Sequence, residues 1–155
     1  MDIPKLVATI AVCLLIGALG SVFTAPSIGT WYASINKPSF NPPNWIFGPV
    51  WIMLFLLMGV SAYLVWEKCL QQKKAVNALY VFGAQLALNF LWSVLFFGLH
   101  KPLYALIEIS ALWAAIAMTI MEFRKYSRTA SMMLLPYLAW VTFAAVLNYA
   151  IVVLN

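Results

Sequence analysis

Five long apolar blocks, separated by short polar or proline-rich connections, constrain this chain of 155 residues more than any other feature of its sequence. A helix needs about 20 residues to cross a hydrocarbon layer of about 30 Å. Each block is about that long or longer. Only 8% of the residues are charged, against about 25% in an ordinary soluble domain, so a water-soluble fold is excluded. The sequence therefore predicts an integral membrane protein with a single transmembrane domain over residues 1–155.

Prolines and polar connections indicate where the helices of this all-α bundle begin and end. We expect the first helix to stop before Pro26, because proline lacks a backbone donor and restricts the residue before it. Pro49 falls early in the second helix, where a missing N–H costs little, and Pro136 is expected to bend the fifth helix. The predicted transmembrane helices are about 5–25, 44–66, 75–98, 103–123 and 131–154, and the loop 26–43 is predicted to be an ordered lid.

The basic residues are distributed unequally between the two ends of the predicted helices. Seven lysines and arginines belong to the N-terminus and to the second and fourth loops, whereas only Lys37 and Lys101 belong to the other side. Because basic residues concentrate in cytoplasmic loops, this predicts a cytoplasmic N-terminus and an external C-terminus in a cell membrane. The formal net charge of +5 is explained by this orientation, so we expect a lipid bilayer rather than a nucleic acid as partner.

Cysteine and histidine are too scarce to indicate redox or metal chemistry. Cys13 and Cys69 are the two cysteines and His100 is the single histidine. This set is too small for a disulfide framework and has no zinc or haem-attachment spacing. We expect no metal and no cofactor.

The connection between the first two predicted helices has an unusual composition. Residues 31–51 contain three of the seven tryptophans and four of the eight prolines. Trp31 and Trp45 lie near helix ends, where tryptophan commonly anchors a protein at the membrane interface. Trp51 lies further along the second helix, and we expect it to point into a cavity beneath the lid.

Polar and aromatic side chains within the helices recur at four-residue spacing, which places them on one helix face. Counting about 1.5 Å of rise per residue, most of them lie about 8 to 15 Å below the external helix ends, with Gln85 and Trp140 near 20 Å. We therefore expect a common cavity in the outer half of the bilayer, although bonds between helices would explain the buried amides equally well. The residues at this spacing are Trp51 and Phe55, then Gln85, Asn89 and Ser93, and finally Trp140, Ala144 and Asn148, while Glu108 and Ser110 lie early in the fourth helix at a similar depth.

Small residues at the same spacing permit close helix packing. Cys13, Gly17 and Ser21 form one such stripe in the first helix, and Gly83 and Ala87 form another in the third. Each stripe could pack within the chain or against a second copy.

The sequence resembles the translocator protein family (TspO/MBR), whose vertebrate members were formerly called peripheral-type benzodiazepine receptors. The segments that carry the resemblance are WYASINKPSFNPPNWIFGPVW, MGVSAYLVWEK, AQLALNFLWSVLFFG and PYLAWVTFAAVLNY. The resemblance implies a five-helix bundle, often a homodimer, that binds porphyrins, sterols and isoquinoline or benzodiazepine-like drugs beneath its first loop. It places the important pocket tryptophans at Trp51 and Trp140, and a position whose change to threonine alters ligand binding at Ala144.

The resemblance also favours a bacterial member with a tetrapyrrole ligand over a sterol-binding one. The family's proposed cholesterol motif is matched at Val146 or Leu147 and at Tyr149, but no basic residue follows. Such motifs are weak indicators even when complete. The residues expected to contact ligand are Tyr32, Pro42, Pro43, Phe47, Trp51, Phe55, Asn89, Phe90, Ser110, Trp140, Ala144 and Asn148.

Three classes of function follow from this reasoning. The first is a membrane receptor that binds a porphyrin and transports or senses it. The second is an enzyme-like degradation of bound protoporphyrin IX by light and oxygen, with Trp51 and Trp140 as the catalytic residues. The third is a purely structural membrane subunit, for which no ligand would be needed.

Overall fold

The computed structural model describes residues 2–69 and 72–155, and its elements are helices. Five helical segments are long and apolar enough to cross a membrane, namely α1, α3, α4 with the π-helical turn that follows it, α5, and α6 together with α7. The predicted all-α bundle of five membrane-spanning helices is confirmed. The elements are α1 Ile3–Ile28, α2 Trp31–Ser34, α3 Asn44–Cys69, α4 Ala75–Ser93, the π-helical turn Val94–Gly98, α5 Pro102–Arg124, α6 Arg128–Met133 and α7 Leu135–Leu154.

The prediction that the first helix stops before Pro26 is wrong, because α1 continues through this proline to Ile28. Proline removes one helical donor, but side chains near the helix end supply other hydrogen bonds. The hydroxyl of Thr30 donates to the carbonyl of Pro26 (2.8 Å), and the hydroxyl of Ser27 donates to the carbonyl of Phe97 on the π-helical turn (2.7 Å). These contacts hold the last turn of α1 in place.

The predicted second helix ends too early, and the predicted fifth helix starts too late. α3 extends to Cys69, so the loop expected at residues 67–74 starts later, and its residues 70 and 71 lie outside the described residues. The last membrane-spanning segment begins at Arg128 and is interrupted at Leu134. Pro136 occupies the first turn of α7, where its missing N–H costs little.

The lid segment, defined as residues 29–43, contains α2 and covers one end of the bundle, which we call the lid end. Beneath it, α1 packs against α3 and α4, α4 packs against α5, and α5 packs against α7. α1 is the most peripheral of the membrane-spanning helices. In its most apolar stretch of 18 residues, 11% of the residues are buried, against 28% or more in the other four helices. One side of α1 therefore faces the bundle and the rest faces outward.

Glycines bring α1 and α3 into close contact at the end opposite the lid, which we call the base end. A Cβ atom on Gly59 would lie 2.6 Å from the Cα of Ile10, and one on Gly17 would lie 2.4 Å from the Phe55 ring. Gly83 on α4, by contrast, has no described residue outside its own helix turn within 4 Å of its Cβ position. Cys13 and Gly17 of the α1 stripe thus pack within the chain, whereas Ser21 and Gly83 are exposed.

This difference predicts opposite effects for the same substitution at two helical glycines. Gly59→Ala places a methyl group against backbone that cannot rotate away, and overpacking of this kind costs about 1 to 3 kcal/mol. Gly83→Ala meets open space and gains helix propensity, worth up to about 1 kcal/mol. Equilibrium unfolding in mixed micelles should show a lower free energy of unfolding for Gly59→Ala only. Equal stability of the two variants would contradict the close α1–α3 contact.

Candidate ligand-binding cavity

A cavity of about 540 Å³ lies under the lid segment, between the lid-end halves of α1, α3, α4 and α7. This volume falls within the range of roughly 300 to 1,000 Å³ that is usual for small-molecule sites. Each wall comes from a different helix, so the cavity is a product of tertiary packing. It is a single site at the centre of the lid-end half of the bundle.

Nine aromatic residues line the cavity. Four of the seven tryptophans line it, and two ring pairs fix their orientation. Trp51 stacks on Phe55 with centroids 5.6 Å apart, while Phe47 meets Trp140 edge to face at 5.8 Å. No charged side chain of the described residues lines the cavity. Such a wall suits a flat, mostly apolar ligand that stacks on indole and phenyl faces.

The buried hydroxyl of Tyr137 joins α7 to α4 beneath the cavity. It donates a hydrogen bond to Oε1 of Gln85 (2.9 Å) and accepts one from Nδ2 of Asn89 (2.9 Å). Gln85 and Asn89 lie one turn apart on α4, so one phenol satisfies both amides. Because buried polar groups without partners are costly, this cluster fixes the register of the two helices at the cavity floor.

A second buried amide, that of Asn148 on α7, connects three helices at the lid end. Its Oδ1 accepts a hydrogen bond from Nε1 of Trp92 on α4 (3.2 Å). Its Nδ2 donates to the carbonyl of Pro102, the first residue of α5 (2.8 Å). Asn148 also lines the cavity, and its bonds orient the Trp92 indole in the wall.

The indole nitrogen of Trp140 is an exception among these polar groups. Trp140 lines the cavity, yet its Nε1 is buried without a hydrogen-bond partner among the described residues. An unsatisfied buried donor costs about 1 to 3 kcal/mol. This N–H is therefore a buried donor beside the cavity that the described residues leave unpaired.

Tyr32, in α2, closes the cavity from the lid side and is 4% exposed. Its hydroxyl donates to Oδ1 of Asn41 (2.7 Å), and burial raises the pKa of this phenol despite that bond. Nζ of Lys37 donates to the carbonyls of Tyr32 (2.6 Å) and Ile35 (2.9 Å). The ammonium group of Lys37 is thus bound to the lid backbone.

His100 holds the other side of the lid, a role that sequence analysis missed. Its ring stacks on Trp31 with centroids 4.6 Å apart, and its Nε2 lies 2.9 Å from Oγ of Ser27. Because the Ser27 hydroxyl already donates to a carbonyl, Nε2 of His100 is the donor in this pair. His100 has φ 55°, a left-handed conformation that is uncommon for histidine. Trp31 therefore packs against the bundle rather than serving only as an interfacial anchor.

The lid is also joined to the end of α7. The backbone N–H of Asn36 donates to Oδ1 of Asn155 (2.9 Å), and Nδ2 of Asn155 donates back to the carbonyl of Asn36 (2.9 Å). The Asn36 side chain adds a bond to the carbonyl of Leu154 (3.2 Å). The lid segment is thus attached at three places: α1, α7 and the turn before α5.

Most of the residues expected to contact ligand do meet at this cavity. Helices of alternating direction bring them to one level, as the depth count predicted. Those in the cavity wall are Tyr32, Phe47, Trp51, Phe55, Asn89, Trp140, Ala144 and Asn148.

Four expected residues, Pro42, Pro43, Phe90 and Ser110, do not line the cavity. Phe90 packs edge to face on Phe23 instead, with centroids 6.0 Å apart. Ser110 is exposed on the side of α5 opposite its buried face and donates to the carbonyl of Leu106 (2.9 Å). The depth count included Ser110, but depth along a helix does not specify which way its face points.

Three further expectations about the wall need correction. Gln85 does not line the cavity, because its side chain lies below the wall, bonded to Tyr137. Glu108 is buried on α5 but contributes nothing to the lining. Trp45, expected to serve mainly as an interfacial anchor, is 73% exposed and also lines the cavity edge.

Sequence analysis assigned no wall to the first helix, although α1 supplies a complete one. Gly17, Gly20 and Thr24 recur at helical spacing and face the cavity. Sequence analysis placed Gly17 in a packing stripe, but it did not single out Gly20 or Thr24 or predict that these residues face a cavity. Their small size leaves room for a ligand that larger residues would fill.

The fold and this site define an integral membrane protein of five helices with an internal aromatic cavity under an ordered lid. Residues 9–154 match the TspO/MBR family. The chain belongs to the TspO/MBR family, as the resemblance of its motifs indicated.

Relatives from different domains of life cover most or all of this chain. It is 51% identical to the tryptophan-rich protein TspO of Archaeoglobus fulgidus, over 100% of this chain and 99% of that protein. The tryptophan-rich protein TspO of Chlorobaculum tepidum is 41% identical, over 99% of this chain and 98% of the relative. The translocator protein of Ovis aries is 40% identical, over 86% and 79% of the two chains.

The buried Tyr137 cluster leads to a stability prediction. Tyr137→Phe keeps the ring but leaves Gln85 and Asn89 without their shared partner, which should cost about 1 to 3 kcal/mol of unfolding free energy. Tyr80→Phe on α4 is a matched control, because Tyr80 is 73% exposed and should tolerate the change. Thermal unfolding in detergent compares the two, and an unchanged midpoint for Tyr137→Phe would show that the cluster does not stabilise the bundle.

Proposed function

We propose that this protein is a membrane receptor that binds tetrapyrroles, such as protoporphyrin IX, and other flat apolar ligands, such as isoquinoline carboxamides and benzodiazepines. The observation that carries the proposal is the uncharged cavity with four tryptophans in its wall. A macrocycle has two extended π faces, which aromatic rings at several angles can contact.

The polar groups of the cavity suit the edge of such a ligand. Asn89 and Asn148 are engaged in bonds between helices, so they offer little to a ligand without rearrangement. The N–H of Trp140 is buried without a partner among the described residues, and it would donate to a ring nitrogen or a carbonyl oxygen if the indole turned toward the ligand. A ligand with one well-placed acceptor would therefore gain affinity and orientation.

The propionate groups of a porphyrin set the direction in which it would bind. An unpaired carboxylate is strongly disfavoured in an apolar, uncharged cavity. We infer that the propionates project toward the lid end, where Lys101 is exposed beside the lid anchor His100, while the macrocycle lies among the tryptophans.

The charge distribution supports a particular orientation in a prokaryotic cell membrane. The basic loops lie at the base end, which we place in the cytoplasm, so the lid and cavity lie in the outer half of the bilayer. The sheep relative is named a translocator protein, which agrees with a role in moving or sensing a bound ligand.

A titration of tryptophan fluorescence with protoporphyrin IX tests the binding proposal. Wild-type protein should show saturable quenching, because four of its seven tryptophans line the site. Ala144→Leu fills part of the cavity and should weaken binding about tenfold or more, since overpacking costs about 1 to 3 kcal/mol.

Ala139→Leu is the matched control, because Ala139 is exposed on the same helix and does not line the cavity. It should bind porphyrin like wild type. Quenching that does not saturate, or that both leucine variants preserve equally, would refute the site.

A second candidate function is degradation of bound protoporphyrin IX in light and oxygen, favoured by the placement of Trp51 and Trp140 in one cavity wall. Trp51→Phe and Trp140→Phe should each reduce formation of a product that free porphyrin does not give on illumination. Trp113→Phe serves as control, because Trp113 is outside the cavity and its indole donates to Thr142 (2.8 Å). Chromatography of the products decides, and identical products with and without protein would exclude this activity.

A further inference from the structure

One face of α1 and one face of α3 meet along the length of the bundle. On α1 this face runs through Ile10, Leu14, Ala18, Ser21 and Ala25, at three- or four-residue spacing. On α3 it runs through Gly59, Phe55, Ile52, Gly48 and Trp45 at the same spacing. Because such spacing keeps side chains on one side of a helix, the two rows follow the α1–α3 seam.

The base-end half of this seam is closed. The Cβ position of Gly59 lies 2.6 Å from the Ile10 backbone, so the two helices touch. Toward the middle of the bundle the Phe55 ring covers Gly17, with 2.4 Å between its Cε2 atom and the glycine's Cβ position. Nothing larger than a hydrogen atom fits between the helices at these two levels.

The lid-end half of the same seam is different, because both rows line the cavity there. Ala18, Ser21 and Ala25 of α1 are cavity residues and are also exposed. Gly48 and Ile52 of α3 are exposed cavity residues as well, and Ile52 is 57% exposed. The cavity therefore opens between α1 and α3 onto the outer surface of the bundle.

This opening lies within the part of the chain that spans the membrane. Ala18 to Ala25 on α1 and Trp45 to Ile52 on α3 each cover seven residue steps, or about 10 Å at 1.5 Å per residue. Both stretches belong to membrane-spanning helices. The opening thus faces lipid rather than water, and small residues form its α1 edge and part of its α3 edge.

The route through the lid, by contrast, is closed by hydrogen bonds. Asn36 makes three of them with Leu154 and Asn155. Tyr32, beneath the lid, is buried and bonded to Asn41. A ligand arriving from water would have to break several of these contacts, whereas one dissolved in the bilayer would meet an existing gap.

We propose that the gap between the lid-end halves of α1 and α3 is a lateral portal through which a flat apolar ligand passes between the bilayer and the cavity. This proposal rests on the proposed function, because it concerns the same ligand and cavity. Ser21 and Gly48 lie on opposite sides of this portal. The lid stays closed while the ligand passes.

Ligand exchange in reconstituted phosphatidylcholine vesicles tests the portal, with protoporphyrin IX as the probe. Ser21→Phe places a ring in the portal, and it should slow both tryptophan quenching and its recovery after excess protein-free vesicles are added. We expect both rates to fall about tenfold, because a blocked path slows entry and exit alike, whereas a ring that only crowded the cavity would weaken binding and speed release. The partition of porphyrin into protein-free vesicles, measured separately, is subtracted.

Two further variants complete the design. Ala11→Phe adds the same ring to an exposed α1 position outside the cavity and should exchange ligand like wild type. Asn155→Ala removes hydrogen bonds between the lid and α7 and should also leave both rates unchanged.

The outcomes separate the portal from the binding proposal. Saturable quenching in wild type, with slow exchange in Ser21→Phe alone, supports the portal. Saturable quenching with unchanged rates in Ser21→Phe, or with clearly faster exchange in Asn155→Ala, overturns the portal and leaves binding intact. No saturable quenching in wild type overturns both.

Discussion

The close approach of α1 and α3 at the base end is the constraint on which the cavity depends. Gly59 lets the backbone of Ile10 come near, and Phe55 rests on Gly17 at the next level. Larger residues at these glycines would force the helices apart along their whole length. Because α1 and α3 touch at the base end, they separate only toward the lid end, and the cavity forms there.

Hydrogen bonds then determine which polar groups remain available inside an apolar bundle. Tyr137 satisfies both amides of α4, and Asn148 satisfies the Trp92 indole and a carbonyl at the start of α5. In a membrane such bonds hold helices together because lipid offers no substitute partners. Among the described residues the Trp140 N–H has no acceptor, so it would recognise a ligand acceptor if its indole turned toward the cavity.

The sequence was sufficient to predict the five helices and the level of the site, because apolar length and helical rise are nearly independent of tertiary context. It could not predict how each helix is rotated about its axis. For this reason the outward orientation of Ser110 and the packing of Phe90 on Phe23 were not expected. It also missed contacts between residues far apart in the chain, such as His100 with Trp31 and Asn36 with Asn155. These depend on how the lid folds over the bundle, and no local pattern indicates them. The helix continues past Pro26 to Ile28, and Ser27 and Thr30 add hydrogen bonds near its end that no local pattern predicts.

The central claim is that a flat aromatic ligand binds within the cavity among Trp51, Trp140 and Ala144, and not on the lipid-facing surface. A structure of the protein determined in lipid with protoporphyrin IX tests this most directly. We predict density for the macrocycle between α1, α3, α4 and α7, with a ligand acceptor near Nε1 of Trp140 and the propionates directed toward the lid end. A macrocycle bound on the outer surface of the bundle, with the cavity unchanged, would contradict the account.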